Sequence, residues 1–260
     1  MRCREILDKL ETLSPRSFAE QWDNVGLLAG RYDKEVQTVM LALDATDSVV
    51  EEAVEKGADL LVTHHPLIFS ARKSVTDGDF IGRRLVKLLQ HDISYYAMHT
   101  NFDVMGMADA AADEIGLLDR QVLDVTYEDD ISREGIGRVG RLPVSMTLEE
   151  CGAYVKRAFA LESVKIFGEK DCQISVAAVS PGSGKSVIGS AVSAGAQVLI
   201  TGDIDHHEGI DAVAQGLTII DAGHYGVEKI FVPYIEEYLR RECARLTVIR
   251  AQEKNPFWIM

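Results

Sequence analysis

The sequence predicts an α/β protein made of two related α/β halves. Three observations carry this: apolar runs of strand length alternate with amphipathic helical stretches, histidines and carboxylates collect just past the apolar runs, and one strand–helix–strand series occurs twice. The expected sheets are mixed or mostly parallel, because two strands separated by a helix run the same way.

A helix is expected from Arg2 to Leu13, where Ile6, Leu7, Leu10 and Leu13 share one face and Pro15 follows. Val36 to Leu43 reads as a buried strand, Thr46 to Lys56 as a helix stopped at Gly57, and Asp59 to Thr63 as a second strand. Gly82 to Gln90 gives a helix, Ile93 to Met98 a strand, and Ala108 to Ile115 a helix closed by Gly116. From Gln121 to Leu142 the pattern turns β-rich around Gly135-Ile136-Gly137-Arg138-Val139-Gly140. Leu148 to Ala160 is helical, Val164 to Phe167 and Ile174 to Val179 extended, Lys185 to Ala194 helical, and Val198 to Thr201 extended. Leu217 to Asp221 is a strand, Val227 to Arg241 one long amphipathic helix, and Leu246 to Arg250 a terminal strand. Residues 1–124 with about 201–260 are expected to form a first α/β domain, and about 125–200 a second.

The repeat pairs Val39 to His65 with Ser175 to Asp203, each running strand, helix, Gly-Ala, strand, polar tip. A further strand in each half then runs into a histidine, His99 in the first and His224 in the second.

Composition narrows the function. A formal charge of −14 opposes binding to phosphate backbones, so nucleic acid is not an expected partner. A nucleotide substrate stays open, since a local metal charge can outweigh distant surface charge. No apolar run approaches a membrane span, and Cys3, Cys151, Cys172 and Cys243 stand apart without a CxxC pair. The expectation is a cytoplasmic protein with reduced thiols and no membrane association.

Ligands of open α/β sheets lie beyond the carboxyl ends of the strands. His64 and His65 directly follow Leu60-Leu61-Val62-Thr63, and Pro66 biases His65 toward extended backbone. Adjacent imidazoles on extended chain point to opposite sides, which suits two neighbouring metals. Past the next strand come His99 and Asp103, either of which suits a divalent ion. His224 and Glu228 are spaced i, i+4, on one face of a helix entry. The set His64, His65, Asp103, His224 and Glu228 therefore reads as a two-metal centre with open positions for water or substrate, and the ions suited to it are zinc, iron, manganese or nickel.

His207 is a candidate proton carrier, and helix capping or a surface role serves His206 and His207 equally well. Trp22 to Gly26 reads as a pocket rim or as a buried Trp with a turn. The Ser180 to Ser186 turn imitates a P-loop but carries Val179 where that motif needs glycine.

Six motifs give the chain a family resemblance: WDNVGLL at Trp22 to Leu28, LVTHHPLIF at Leu61 to Phe69, HTNFD at His99 to Asp103, GIGRVG at Gly135 to Gly140, TGDIDHH at Thr201 to His207 and DAGHYGVE at Asp221 to Glu228. On these it resembles, along nearly its whole length, the GTP cyclohydrolase I type-two homologue family, also called Nif-three-like proteins. The resemblance implies a toroidal homohexamer, a trimer of dimers, with dinuclear metal sites facing an inner cavity. It further implies that His65 and Asp103 hold one ion, His64 and His224 the other, and that Glu228 bridges them. Longer relatives carry an extra domain for which the span from Val125 to Gly140 leaves no room, and Ser180-Pro181 stands where relatives often carry Cys-Gly or similar. Three functions follow as expectations: a metal-dependent hydrolase acting on a nucleotide or related heterocycle, with GTP ring opening suggested by the family name; a metal-handling protein without turnover; and a scaffold with structural metals.

Overall fold

The computed structural model describes residues 1–260 and divides them into two compact units, Met1–Phe102 with Phe231–Met260, and Asp103–Ile230.

The first unit opens with α1 (Cys3–Leu13), which buries Cys3, Ile6, Leu7 and Leu10 on one stripe, followed by β1 (Gly26–Ala29) and β2 (Thr38–Ala42). The hydroxyl of Thr46 accepts the Val49 N–H and starts α2 (Asp47–Glu55). β3 (Leu60–Thr63) is buried throughout, α3 (Phe80–Gln90) starts at an Asp79 cap, and β4 (Ser94–Ala97) leads into the short α4 (Thr100–Phe102).

The second unit begins with a π turn at Asp103–Met107 and α5 (Ala108–Glu114). The long hairpin β5 (Leu118–Glu128) and β6 (Arg133–Thr147) then leads to α6 (Leu148–Ala158), β7 (Lys165–Phe167) and β8 (Gln173–Ser183). Next come a 3-10 turn (Lys185–Val187), α7 (Ile188–Ser193), β9 (Val198–Gly202), α8 (His206–Ala214), β10 (Thr218–Asp221) and α9 (His224–Glu228). The chain completes the first unit with α10 (Phe231–Glu242) and β11 (Thr247–Arg250).

Each unit holds one mixed sheet. The first runs β1-β4-β3-β2-β11, with β1 antiparallel at the edge and the rest parallel. The second runs β5-β6-β8-β9-β10-β7, with β8, β9 and β10 parallel and β7 antiparallel beside β10. The series β2-α2-β3-α3-β4 thus matches β8-α7-β9-α8-β10, and each series is flanked on its last strand by an antiparallel edge. In the first unit Met40, Leu61 and Tyr95 pack with Val50, Leu85 and Leu88. In the second, Ala178, Leu199 and Ile219 pack with Val187 and Ala212.

The units divide after Phe102 and Ile230, where the sequence places boundaries near 124 and 200. Strand pairing keeps residues 198–221 in the second unit, since β9 is hydrogen-bonded to β8 and β10 to β9. The single helix expected from Val227 to Arg241 is two, α9 and α10. Pro233 has no N–H for the Lys229 carbonyl, so helical bonding cannot run through this stretch. The pattern assigns no strand to Gly26–Ala29, a piece of four residues too short to show alternation. No helix is long and apolar enough to cross a membrane.

Candidate metal centre

In the first unit the candidate residues stand at the carboxyl ends of parallel strands. His64 and His65 follow β3, and His99 follows β4. Their rings cluster, with centroids 4.8 Å apart for His64 and His65, 5.2 Å for His64 and His99, and 5.5 Å for His65 and His99. Each of the three offers a ring nitrogen within 4.8 Å of the others.

Every ring is oriented through Nδ1. His64, fully buried, donates to the carbonyl oxygen of Met98 at 2.7 Å. His65 donates to Asp44 Oδ1 at 2.9 Å, and His99 to Asp23 Oδ1 at 2.9 Å. A carbonyl or carboxylate can only accept, so Nδ1 carries the proton and Nε2 is the nitrogen each ring has to offer an ion. Burial alone would raise the Asp23 carboxyl, but bonds from His99 and Thr100 outweigh it and hold its pKa at about 2. Asp23 therefore stays ionised, and its second oxygen accepts the Thr100 N–H at 3.0 Å.

Beside the imidazoles lie two half-exposed aromatics. Trp22 stacks on Phe69, centroids 6.1 Å apart and planes 19° from parallel, and both meet His99 edge-on. The Asn24 side-chain amide donates to the Ile68 carbonyl at 2.6 Å, fastening the Trp22 loop to the Phe69 loop. Trp22 is thus exposed rather than buried.

In the second unit, His224 and Glu228 open and close α9, as the i, i+4 spacing predicts, with Nε2 2.9 Å from Oε2. His224 is oriented by the same device, its Nδ1 donating to Asp203 Oδ2 at 2.8 Å. Asp103 opens the π turn and has a carboxylate oxygen within 4.8 Å of one of Glu228. Glu228 is 2 % exposed, a placement that favours a positive charge beside it.

Two glycines make room for this arrangement. Gly182 has φ +77°, and a Cβ there would lie 2.5 Å from Glu228 Oε1. A Cβ on Gly202 would lie 2.5 Å from the His224 backbone nitrogen. The Ser180 to Ser186 segment is thus the end of β8 and a 3-10 turn that clears space for a carboxylate, with the Lys185 ammonium paired to Glu208.

His206 and His207 occupy the exposed first turn of α8, edge-on to each other 5.2 Å apart. Asp205 caps that helix by accepting the Glu208 N–H, so capping falls to Asp205 rather than to either histidine. The GIGRVG motif has a structural part: Arg138, buried, makes a bidentate pair with Asp109 at 2.8 Å and donates to the carbonyls of Gly135 and Gly137.

The orienting carboxylates Asp23, Asp44 and Asp203 are not identifiable as such from spacing. Each precedes or follows a strand by one to three residues, a weak signal shared by many loop acids. Imidazoles tied at Nδ1 and joined by carboxylates are the donor set of a divalent transition-metal site, so the residues present fit such ions.

The profile of the Duf34/NIF3 family, NGG1p interacting factor 3, matches residues 1–256. A GTP cyclohydrolase 1 type 2 homolog of Clostridium perfringens is 33% identical, the alignment covering 99% of each chain. One from Streptococcus pneumoniae is 36% identical over 92% of this chain and 90% of its own. A Bacillus cereus protein related to NIF3 superposes with a TM-score of 0.94 over 100% of this chain and 99% of that one; at 24% identity it speaks for the fold.

Proposed function

The chain belongs to the Duf34/NIF3 family, and from that premise we propose that it is a metal-dependent hydrolase of nucleotides or related heterocycles, with two divalent ions held by His64, His65, Asp103, His224 and Glu228. In this reading the five side chains would share the two ions, with Glu228 serving both. Zinc, iron, manganese and nickel all suit imidazole with carboxylate. Such a pair of ions supplies Lewis-acid polarisation of the bond to be broken.

The observation that carries the proposal is the shared orientation of the imidazoles. Nδ1 of His64, His65 and His224 is committed to a protein acceptor in every case, which fixes the ring angle before an ion arrives. Trp22 and Phe69 support the substrate class, because two exposed, near-parallel rings beside the imidazoles present a flat surface to a planar ring. His207, exposed on α8, is the side chain assigned to exchange protons with bulk water. A cytoplasmic homohexamer, a trimer of dimers, is part of the same proposal, and sedimentation equilibrium tests it.

Metal-loaded protein should release product from GTP or from a phosphoester panel, and Asp103→Ala should abolish release with circular dichroism unchanged. A folded, metal-replete wild type that is inactive across the panel overturns the hydrolase reading. The one-third exposure of the His224 side chain favours a second reading, exchangeable metal carriage without turnover. Chelator competition separates the two, since carriage requires ions that leave the folded protein.

A further inference from the structure

The segment that follows β11 reaches the β2 tip that carries the His65 partner. β11 runs parallel to β2 with Arg250 opposite Leu41, and the Ala251 N–H donates to the Leu41 carbonyl at 2.9 Å. The Gln252 N–H donates to Glu52 Oε2 at 2.8 Å, which keeps the chain against the unit as it passes the end of the strand. Glu253 then lands on the carboxyl end of β2. Its Oε2 accepts the Leu43 N–H at 2.6 Å and its Oε1 accepts the Asp44 N–H at 2.9 Å.

Two successive backbone amides bonded to one carboxylate fix the peptide plane between them, and charge makes both bonds strong. Those same two residues suspend His65. The Leu43 carbonyl accepts the His65 backbone N–H at 2.9 Å, and the Asp44 carboxylate accepts from its Nδ1 at 2.9 Å. Backbone and ring of His65 therefore hang from a tip that is itself held by a residue 209 and 210 positions away in sequence.

We infer that Glu253 is a positioning residue for His65, acting through Asp44 to set the ring angle at which His65 receives a metal ion. This rests on the metal reading above. Glutamine at 253 keeps the size of the side chain but presents one oxygen and one NH2 to two N–H groups, so a donor faces a donor. The tip then tilts, and with it Asp44.

The test measures zinc affinity of the full-length protein by competition with a chromogenic chelator, for wild type, Glu253→Gln, Asp44→Asn and the double variant. Glu253→Gln should weaken binding about tenfold, the lower end of what loss of an outer hydrogen-bonding partner costs a metal ligand. Because Glu253 acts through Asp44, the double variant should bind no more weakly than Asp44→Asn alone. The d–d absorption of cobalt-loaded protein should shift in Glu253→Gln, while the far-ultraviolet circular dichroism of the metal-free protein stays unchanged. Should Glu253→Gln misfold, Glu253→Asp, which keeps the charge but not the reach, replaces it in the same cycle. Unchanged affinity in the folded variant, or losses that simply add in the double variant, overturn the inference. A wild type that takes up no zinc overturns the metal reading instead, and the two failures are told apart by that one sample.

Discussion

At the carboxyl end of β2 the first unit places Asp44, whose carboxylate takes a hydrogen bond from His65; at the corresponding end of β8 the second unit places Gly182, whose missing side chain admits Glu228. The equivalent strands thus prepare donors by opposite means. The first unit collects three imidazoles and orients each with an acceptor, two of them deeply: His64 is buried outright, and the Asp23 side chain beneath His99 is 0% exposed. The second unit has one imidazole at its tip, one-third exposed, with an orienting Asp203 more than half exposed. Buried acceptors act at low dielectric and hold a ring firmly, whereas exposed ones are screened. The duplicated scaffold therefore supplies a stiff imidazole cluster in one unit and a more open carboxylate–imidazole pair in the other.

The largest effect is expected where the second unit depends on an absent side chain. Gly182→Val puts a β-branched residue at φ +77° with its Cβ 2.5 Å from Glu228 Oε1. It should cost ~3 kcal/mol in urea unfolding and displace Glu228, lowering bound metal on elemental analysis. A Gly182→Val protein with wild-type stability and metal content would show that the glycine plays no part in the contrast.

The first unit should show its own weakness in acid. The folded Asp23 pKa of about 2 lies below its ordinary value of 3.8, so its contribution to stability is complete above about pH 4 and is lost as pH falls toward 2. Nearly two pKa units correspond to ~2 kcal/mol at neutral pH. Asp23→Asn should lose about that much at pH 7 in urea unfolding, and its stability should fall less steeply than wild type between pH 4 and pH 2. Parallel curves for the two proteins through that window would remove Asp23 from the account.

These contrasts mark what a sequence can disclose. Parallel strands, their buried faces and the repeated series are written in apolar periodicity, His64, His65 and His224 stand within three residues of strand ends, and Glu228 lies one helical turn beyond His224. The repeat also indicates where the second histidine tip should fall. The partners of those residues are not local. His99 finds Asp23 across 76 positions and His65 finds Asp44 across 21, distances over which no periodicity speaks. The choice between His99 and Asp103 was open for a similar reason, since both follow one strand; His99 lies in the first unit's imidazole cluster, and Asp103 beside Glu228 in the second. The helix break before Pro233 was legible in principle, but the amphipathic face continues across it.

Asp44 and Asp203 give the comparison its finest test, because they perform one task at different exposure, 46% and 56%, on rings exposed 19% and 33%. Asn keeps the shape of each and removes the charge. Loss of such a partner lowers metal affinity by about 10- to 100-fold, and Asp44→Asn should approach the upper part of that range while Asp203→Asn stays near the lower. Chelator competition on the two variants measures the difference. Equal losses would mean that the two units hold their histidines with equal firmness, despite the difference in burial.

The smallest effect is expected at His207. It lies on the exposed first turn of α8, where Asp205 already supplies the cap, so His207→Ala should leave the urea midpoint and zinc affinity unchanged. A proton carrier at the surface has a distinctive signature, because a buffer can do its work. Turnover of His207→Ala should fall by up to about tenfold in dilute buffer, a small share of what general acid–base catalysis can contribute, and should recover as imidazole is added. The corresponding titration on wild type should be flat. A variant as fast as wild type in dilute buffer, or one that imidazole does not restore, would leave His207 as a solvated helix residue and would place proton exchange with the open, solvent-facing side of the His224 tip itself.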